Sequence, residues 1–541
     1  MSMVGVAALT GVLVAVPPAA ADTAGTADTA GTVSPELQRF YDQEPAWKPC
    51  TGEGLDDLEC ARITVPMDYA NPRGERIRIA VSRHRATDED GRRGILLANP
   101  GGPGGSGLGM AAFLRGQKIG EVYDLIGFDP RGIGESTRIQ CSVPDLDDLE
   151  LPTRPTAGQL HNFTEAARRT EAGCDRTGGS LRPHITTANT ARDMDVIRGV
   201  LGEDKANYLG YSYGTYLGAV YGSLFPEKLD RSVLDSSIHP DRIWRDTWLA
   251  MSRAHTENVE RFTRWAAEND DKLGLGDTSE AVFRSMEDVA QRLHDDPIDD
   301  FDRSSFDMAV ALLNRDQGEW DVLAAFIGGL RDGDDAQVRE AADAGALRLA
   351  ASRDRFADDS AFSPSTFATV RCEADWPTGL GAYYADMREY AAEHPYGMGA
   401  MLSAPDPCTF RSYTPAEKPV ELKRDGYPTG VVVQSHYDTQ TAYEGGPAMA
   451  QRLRDSLIIV EDDSNHGYYG IPGYDCVTEQ IDDYLIDGIL PGSATTCPGA
   501  PFPDLDAPDT ADEENLTEKV QEQIDEEEEH PVPLPAPLPV S

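Results

Sequence analysis

The chain has 541 residues, of which 40% are hydrophobic and 26% charged, and its formal net charge is −45. So acidic a surface repels nucleic acids and anionic membranes, which excludes both as expected partners. The length exceeds what one small core needs, so we expect either one large domain with an insertion or two domains.

The N-terminus has the features of an export signal. Residues 4–16 (VGVAALTGVLVAV) form an apolar run too short to cross a bilayer, and residues 19–21 form an A-x-A-like cleavage site. We predict a signal peptide over residues 1–21, a flexible lead over 22–39, and a secreted, extracellular protein. The segment lacks basic residues at its start. A true start further upstream, or a misassigned start codon, would explain their absence, and the alternative to export is a cytoplasmic protein with an apolar N-terminus.

Eight cysteines are spread along the chain, at positions 50, 60, 141, 174, 372, 408, 476 and 497. Their even number and the lack of C-x-x-C pairs favour disulfides in an oxidising compartment over a metal site. We expect no metal and no other cofactor. Eight cysteines allow 105 connectivities. Joining each cysteine to the next along the chain closes the shortest loops, and we predict that connectivity.

From residue 40 to 240, strand patterns alternate with helix patterns. Residues 61–84 contain two runs of alternating apolar and polar side chains, and GILLAN (94–99) predicts a short buried strand. ARDMDVIRGVLG (191–202) predicts an amphipathic helix, and LDRSVLDSS (229–237) predicts a further buried strand. Such alternation predicts a mostly parallel sheet with helices on both faces.

The pattern changes at residue 241. Residues 241–410 contain helical stretches with few strand signals, which predicts a helical cap inserted into the sheet domain. Strand and helix patterns resume over 411–503, where GVVVQS and SLIIVED predict strands on either side of a helix. Residues 504–541 are acidic and then Pro-rich. They contain too few apolar residues to order themselves, so we predict a disordered tail.

The motif G-x-S-x-G occupies residues 210–214, between a strand pattern and a helix pattern. A sharp turn from strand to helix exposes the central serine hydroxyl, and the flanking glycines tolerate close backbone contacts. The pentapeptide also occurs by chance, but this placement makes Ser212 a candidate nucleophile. An unactivated serine is a poor nucleophile, so a base has to lie nearby.

Candidate partners for Ser212 follow two late strands. Asp438 follows GVVVQS and His466 follows SLIIV, and one βαβ unit brings both loops to the same sheet edge. In the α/β-hydrolase fold the acid and the base follow the serine in this order. We predict that fold, with a helical cap insertion, and a catalytic triad of Ser212, Asp438 and His466. Asp462 and Asp463 are rival acids, and the alternative for His466 is a surface loop histidine.

A glycine-rich loop, NPGGPGGSG (99–107), directly follows a predicted strand. Such a loop can cradle phosphate, but this one lacks the lysine of a Walker motif, and no acidic ribose-binding partner stands out. In the α/β-hydrolase fold the loop supplies one amide of the oxyanion hole, and the residue after the nucleophile supplies the other. We predict Gly102, in preference to Gly101, and Tyr213 as these donors.

Together the motifs resemble those of a known family. NPGGPGGSG, FDPRGIGES, GYSYGTYLG, CEADW and the final NHG, over about residues 40–500, are similar to those of the secreted actinobacterial tripeptidyl aminopeptidases, relatives of the proline iminopeptidases. The resemblance implies an exopeptidase that acts on peptides with a free N-terminus, and it matches Ser212, Asp438 and His466 to the family triad. The acid loop departs from the family's D-P-V-T-P. It has D-T-Q-T-A, which keeps the acid without the prolines.

An aminopeptidase has to neutralise a substrate ammonium in a partly dehydrated pocket, which calls for carboxylates. Glu373 and Asp375, beside Cys372 in the RCEADW segment, are the candidates. The alternative is that both are solvated loop charges. We expect Asp129 and Arg131 of the FDPRG segment to form a structural turn and ion pair rather than substrate contacts.

Other functions remain open from the sequence. One is a secreted esterase or lipase on the same fold, and a second is an aminopeptidase closer to the proline iminopeptidases. A third is a binding protein that keeps the fold without catalysis, against which a complete triad argues. We expect a monomer that acts on peptides and binds neither nucleic acid nor membranes.

Overall fold

The computed structural model of the protein describes residues 34–52, 54–142, 146, 148–357, 361–506 and 516–529. The predicted signal peptide and most of the predicted lead lie outside these residues. None of the helices in the described ranges is both long enough and apolar enough to cross a bilayer.

The described residues form one sheet with ten strands. In chain order they are β1 (Lys48–Pro49), β2 (Glu59–Pro66), β3 (Arg76–His84), β4 (Ile95–Asn99), β5 (Asp124–Phe128), β6 (Ala206–Tyr211), β7 (Leu229–Asp235), β8 (Val431–Ser435), β9 (Ser456–Glu461) and β10 (Ala494–Pro498). Their spatial order is β1-β2-β3-β5-β4-β6-β7-β8-β9-β10. Strands β1, β2, β3 and β5 pair antiparallel, and all pairs from β5–β4 to β9–β10 are parallel. The prediction of a mostly parallel sheet is confirmed.

Helices flank the sheet and fill the segment between β7 and β8. Up to β7 they are α1 (Pro35–Tyr41), α2 (Met110–Leu114), α3 (Ile119–Val122), α4 (Leu160–Thr177), α5 (Thr187–Val200) and α6 (Tyr213–Leu224). Between β7 and β8 they are α7 (Arg245–Glu268), α8 (Asp270–Leu273), α9 (Ser279–Asp295), α10 (Arg303–Leu313), α11 (Trp320–Asp332), α12 (Asp335–Ala357), α13 (Pro364–Val370), α14 (Leu380–Glu393) and α15 (Gly399–Leu402). After β8 they are α16 (Gly445–Leu453), α17 (Asp475–Asp482) and α18 (Leu516–Glu529).

The central strands are buried on both faces, which explains their continuous apolar runs. Successive strand side chains point to opposite faces. In β4, Ile95 and Leu97 join the apolar cluster that includes residues of α5 and α6, whereas Leu96 and Ala98 join a cluster with residues of α2 and α17. Helices therefore cover both faces of the sheet.

Most of the helices between β7 and β8, which we call the cap, share an apolar cluster of their own, whereas α13 packs in the cluster of the sheet domain. Val259 and Phe262 of α7 pack in the apolar cluster of the cap with residues of α9 to α12. Trp248 and Met251, near the start of α7, belong instead to the cluster of the sheet domain. The first cap helix is therefore anchored in the sheet domain.

Four disulfides link sequential cysteines, and the predicted connectivity is confirmed. The bonds are Cys50–Cys60, Cys141–Cys174, Cys372–Cys408 and Cys476–Cys497. The third bond fastens a short turn of the cap next to Glu373.

The disorder predicted for residues 504–541 is wrong for the part that forms α18. Val520 and Ile524, one turn apart, are buried in the apolar cluster of the cap, against α11 and α12. The N–H of Leu516 donates to Glu340 Oε1 over 2.7 Å. The segment is mostly acidic, so its overall composition predicts disorder. The few apolar residues nevertheless lie on one face of the helix, and that face packs against the cap.

The lead predicted as flexible over 22–39 includes residues that form a helix. Helix α1 begins at Pro35, where proline is favoured in a first turn, and it buries Phe40 against the sheet domain.

Candidate active site

The turn at Ser212 joins β6 to α6 through a backbone conformation that few residues adopt. Ser212 has φ +55° and ψ −124°, and the residue is 2% exposed. A Cβ on Gly210 would lie 2.5 Å from the carbonyl oxygen of Gly214, and one on Gly214 would lie 2.8 Å from that of Asn99. Any larger residue at either position would therefore clash with the backbone, so both positions require glycine. Strain of this kind at a strand-to-helix turn is typical of a nucleophile elbow.

Asp438 and His466 lie on the loops after β8 and β9, and they form a buried hydrogen bond. His466 Nδ1 donates to Asp438 Oδ2 over 2.8 Å. With Nδ1 as donor, Nε2 is the nitrogen left to accept a proton. Nε2 is buried and has no hydrogen-bond partner in the part of the chain that the structure describes. The structure therefore brings the predicted acid and base together and leaves the second nitrogen available.

The carboxylate of Asp438 is held by its own loop. Oδ1 accepts hydrogen bonds from the amides of Gln440 (2.7 Å) and Thr441 (2.9 Å). Oδ2 accepts one from the Thr441 hydroxyl at 2.7 Å. These bonds fix the carboxylate although the prolines of the resembled family are missing. Thr441 is not among the residues predicted from the sequence. A threonine three residues after a loop aspartate is a pattern that could have indicated it.

The two rival acids occupy other positions. Asp462 is exposed. Asp463 is buried, but its oxygens accept hydrogen bonds from the hydroxyls of Tyr468 and Tyr474 and from the amide of Ala500. Asp463 thus holds the loop that carries His466, whereas Asp438 contacts the imidazole.

The glycine-rich loop after β4 lies directly against the Ser212 turn. A Cβ on Gly101 would lie 2.7 Å from the Tyr211 carbonyl oxygen and 3.3 Å from the amide nitrogen of Tyr213. Tyr213 is the first residue of α6, so its N–H has no partner within that helix. Gly101 thus brings the glycine-rich loop against the turn that carries Tyr213, and the amides of Gly102 and Tyr213 stay the predicted donors.

Asp129 and Arg131 both make contacts within the fold, but the ion pair of Arg131 is with Asp193 and not with Asp129. Asp129 Oδ1 accepts hydrogen bonds from the Ser106 hydroxyl (2.6 Å) and the Gly107 amide (3.1 Å), which holds the end of the glycine-rich loop. Arg131 is buried and pairs with Asp193 at 2.7 Å, so the ion pair joins the FDPRG turn to α5.

Glu373 lies at the end of a short 3-10 turn (Arg371–Glu373) of the cap and is connected to the Ser212 turn. Its carboxylate accepts hydrogen bonds from the amide (2.7 Å) and the hydroxyl (2.8 Å) of Thr187. The Thr187 hydroxyl is also 3.0 Å from the Tyr213 hydroxyl. Burial raises the pKa of Glu373 to about 7, although the bonds from Thr187 lower it. The structure thus places a buried, ionisable carboxylate close to the nucleophile turn.

Asp375 differs from Glu373, because the structure places it as the alternative of a solvated loop charge has it. Its side chain is 98% exposed, and its partner is Arg411 at 3.4 Å. The chain is extended after the 3-10 turn, and Ala374 and Trp376 are both buried, so it is the side chain between them that points to solvent. An exposed carboxylate keeps its hydration and cannot act in a dehydrated pocket.

Two family profiles match the chain. A profile described as α/β hydrolase fold covers residues 94–365, and one described as TAP-like protein covers residues 394–497. The chain is 33% identical over 476 residues to the tripeptidyl aminopeptidase of Streptomyces lividans, an alignment that covers 83% of this chain and 86% of that one. It is 28% identical to the serine protease Hip1 of Mycobacterium tuberculosis, over 84% of this chain and 91% of the relative. It is also 30% identical to carboxylesterase B of Mycobacterium tuberculosis, over 90% of this chain and 96% of the relative.

Proposed function

Because the chain belongs to the tripeptidyl aminopeptidase family of α/β hydrolases and is a serine peptidase, we propose that it is a secreted exopeptidase that releases short peptides from free N-termini. The name of the Streptomyces relative supports tripeptides as the product. Four disulfides and the predicted signal peptide support secretion. In this proposal the helical cap, over residues 241–410, restricts the site to chain ends.

The chemistry starts with a proton transfer between Ser212 and His466. Nε2 of His466 takes the hydroxyl proton while the Ser212 oxygen attacks the carbonyl carbon of the scissile bond. The imidazolium that forms is stabilised by the carboxylate of Asp438. The imidazolium then gives its proton to the leaving amine of the C-terminal portion. The N-terminal segment stays bound to Ser212 as an ester. Water, activated by the same nitrogen, hydrolyses that ester and regenerates the enzyme.

The negative charge on the substrate oxygen is met by backbone amides. The amide of Tyr213 lies at the N-terminus of α6, where the helix dipole also favours negative charge. The amide of Gly102 is the second proposed donor. Losing one such donor typically costs about 2.7–4 kcal/mol of transition-state stabilisation.

The buried carboxylate of Glu373 is the observation that carries the exopeptidase assignment. Two of its hydrogen bonds come from Thr187, so other lone pairs remain for a substrate ammonium. A buried carboxylate without a cation is unfavourable, and a cationic N-terminus would compensate its charge. The link from Thr187 to Tyr213 supports a position within the substrate site.

A secreted esterase is the second candidate, since the carboxylesterase B relative matches nearly the whole chain. An ester substrate has no ammonium, so Glu373 would then have no substrate role. The two candidates differ in their dependence on a free N-terminus.

The test compares one long peptide with a free N-terminus and the same peptide with an acetylated N-terminus. Products are identified by mass spectrometry, and Ser212→Ala serves as the control. We expect successive tripeptides from the free peptide and no cleavage of the acetylated one. Single residues as products would indicate an enzyme of the proline iminopeptidase type. Equal cleavage of both peptides, or of neither, would contradict the proposal.

A further inference from the structure

Asp235, the last residue of β7, contacts the turn that carries Ser212. β7 lies beside β6, with Tyr211 opposite Asp235 in the parallel register. The carbonyl oxygen of Asp235 accepts a hydrogen bond from the amide of Ser212 at 2.9 Å. Its main chain therefore fixes one side of the nucleophile turn.

The side chain of Asp235 holds the loop that carries His466. Oδ2 accepts hydrogen bonds from the amides of Tyr468 (3.0 Å) and Tyr469 (2.8 Å). The neighbouring Ser236 hydroxyl donates to Asp235 Oδ1 at 3.3 Å and accepts from the amide of Gly467 at 2.8 Å. The three consecutive amides after His466 are thus fastened to two residues at the end of β7.

A further hydrogen bond joins the loop after His466 to the nucleophile turn, and Ser236 has a backbone conformation that is rare for serine. The Tyr211 hydroxyl donates to the Tyr469 carbonyl oxygen at 2.7 Å. Ser236 has φ +57°, a left-handed conformation that residues other than glycine rarely adopt. The surrounding contacts maintain this strain, as is typical of functional sites.

We propose that Asp235 is a positioning residue for the reaction: it aligns His466 with Ser212, and its charge favours protonation of the imidazole during catalysis. This inference rests on the proposed function, in which His466 is the base. Asp235 does not contact the reacting atoms, and it acts through the loop and through its charge.

The charges around Asp235 determine how its removal should change the protonation of His466. Asp235 is fully buried, and burial raises its pKa to about 6, against the lowering influence of the two amides and of His466. Tyr211 is a further titratable group that interacts with the charge of Asp235. On the far side, Asp438 bonds the same imidazole, and Asp463 bonds the Tyr468 hydroxyl. With those groups unchanged, removal of the Asp235 charge makes protonation of His466 less favourable.

A second buried aspartate provides a matched control. Burial also raises the pKa of Asp455 to about 6. This residue accepts a hydrogen bond from the Gly430 amide at 2.8 Å and lies 3.7 Å from Arg424. It directly precedes β9, at the amino end of that strand, whereas the candidate site is at the carboxyl ends of the strands. Asp455→Asn therefore removes a similar buried charge far from His466.

The experiment measures kcat/KM against pH for the full chain, for Asp235→Asn and for Asp455→Asn. The substrate is p-nitrophenyl butyrate, which has no amine, so titration of Glu373 does not enter. We expect the acid limb of Asp235→Asn to move to lower pH by about one unit, and that of Asp455→Asn to stay in place. An unchanged acid limb in Asp235→Asn, with both variants destabilised alike, would overturn the inference and assign Asp235 a purely structural role.

A further variant keeps the inference testable if Asp235→Asn does not fold. Ser236→Ala removes the acceptor for the Gly467 amide but keeps the charge of Asp235. We expect about a tenfold lower kcat, a KM within about twofold, and no shift of the acid limb. A wild-type kcat would overturn the positioning role. Labelling of the wild-type protein at Ser212 by a fluorophosphonate is measured first, because its absence contradicts the proposed function instead.

Discussion

The imidazole Nδ1 of His466 lies 2.8 Å from Oδ2 of Asp438, although 28 positions separate the two residues. Parallel strands β8 and β9 end at the same sheet edge, and this brings the two loops together. The hydrogen bond fixes the ring so that its buried Nε2 remains free to take a proton.

Thr441 is expected to matter through the oxygen of Asp438 that bonds the histidine. Thr441→Val keeps the shape but removes the 2.7 Å hydrogen bond to Oδ2. A bond to a charged group contributes about 1.5–3 kcal/mol, so kcat should fall roughly 10- to 100-fold with little change in KM. Thr439→Val is the control, because the buried Thr439 hydroxyl has no hydrogen-bond partner among the described residues. A wild-type kcat for Thr441→Val would contradict this prediction.

Gly101 is expected to tolerate no side chain. It has φ +110°, and a Cβ would lie 2.7 Å from the Tyr211 carbonyl oxygen and 2.9 Å from Ser212 Cβ. Gly101→Ala should displace the nucleophile or the oxyanion loop and lower kcat/KM by about 100-fold. At Gly109 a Cβ would meet nothing within 4 Å in the described structure, so Gly109→Ala should stay active. Steady-state kinetics of both variants tests the pair, and comparable rates would speak against the prediction.

Glu373→Gln is expected to weaken binding of free-amine peptides. The change keeps the size of the side chain but removes the charge that an ammonium would pair with. KM should rise about 10- to 100-fold for these peptides and stay unchanged for p-nitrophenyl esters. Asp375→Asn, at an exposed position, should leave both values unchanged. If the two substrate classes respond equally to Glu373→Gln, the amine-binding role is wrong.

Titration of Glu373 is expected to make KM for free-amine peptides depend on pH. Burial raises the pKa of Glu373 to about 7, so the carboxyl is charged above that pH and neutral below it. KM for free-amine peptides should therefore rise as the pH falls through 7. It should also rise above about pH 8, where the substrate amine loses its proton. In Glu373→Gln the rise on the acid side should disappear, and its persistence would show that another group causes it.

The sequence could predict those parts of the site that follow from strand order. Ser212, Asp438 and His466 each follow a strand pattern, and parallel strands carry their C-terminal loops to one edge, so topology alone brings these loops together. The disulfides were predictable for a similar reason, because short loops restrict which cysteines can meet.

Other features depend on packing that no local pattern encodes. Glu373 and Asp375 are two residues apart and chemically similar, yet one is buried beside Thr187 and the other is in solvent. Asp235 stands within an ordinary strand pattern, and its role depends on amides more than 200 positions away. Helix α18 depends on two apolar residues that are buried in the apolar cluster of the cap.

The most direct test of the account is mass spectrometry of the intact protein after treatment with a fluorophosphonate, followed by peptide mapping. We expect a single adduct on Ser212 in the wild type, none in Ser212→Ala, and much slower labelling in His466→Ala. Absence of labelling in the wild type, or an adduct that persists in Ser212→Ala, would contradict the proposal that Ser212 is the nucleophile.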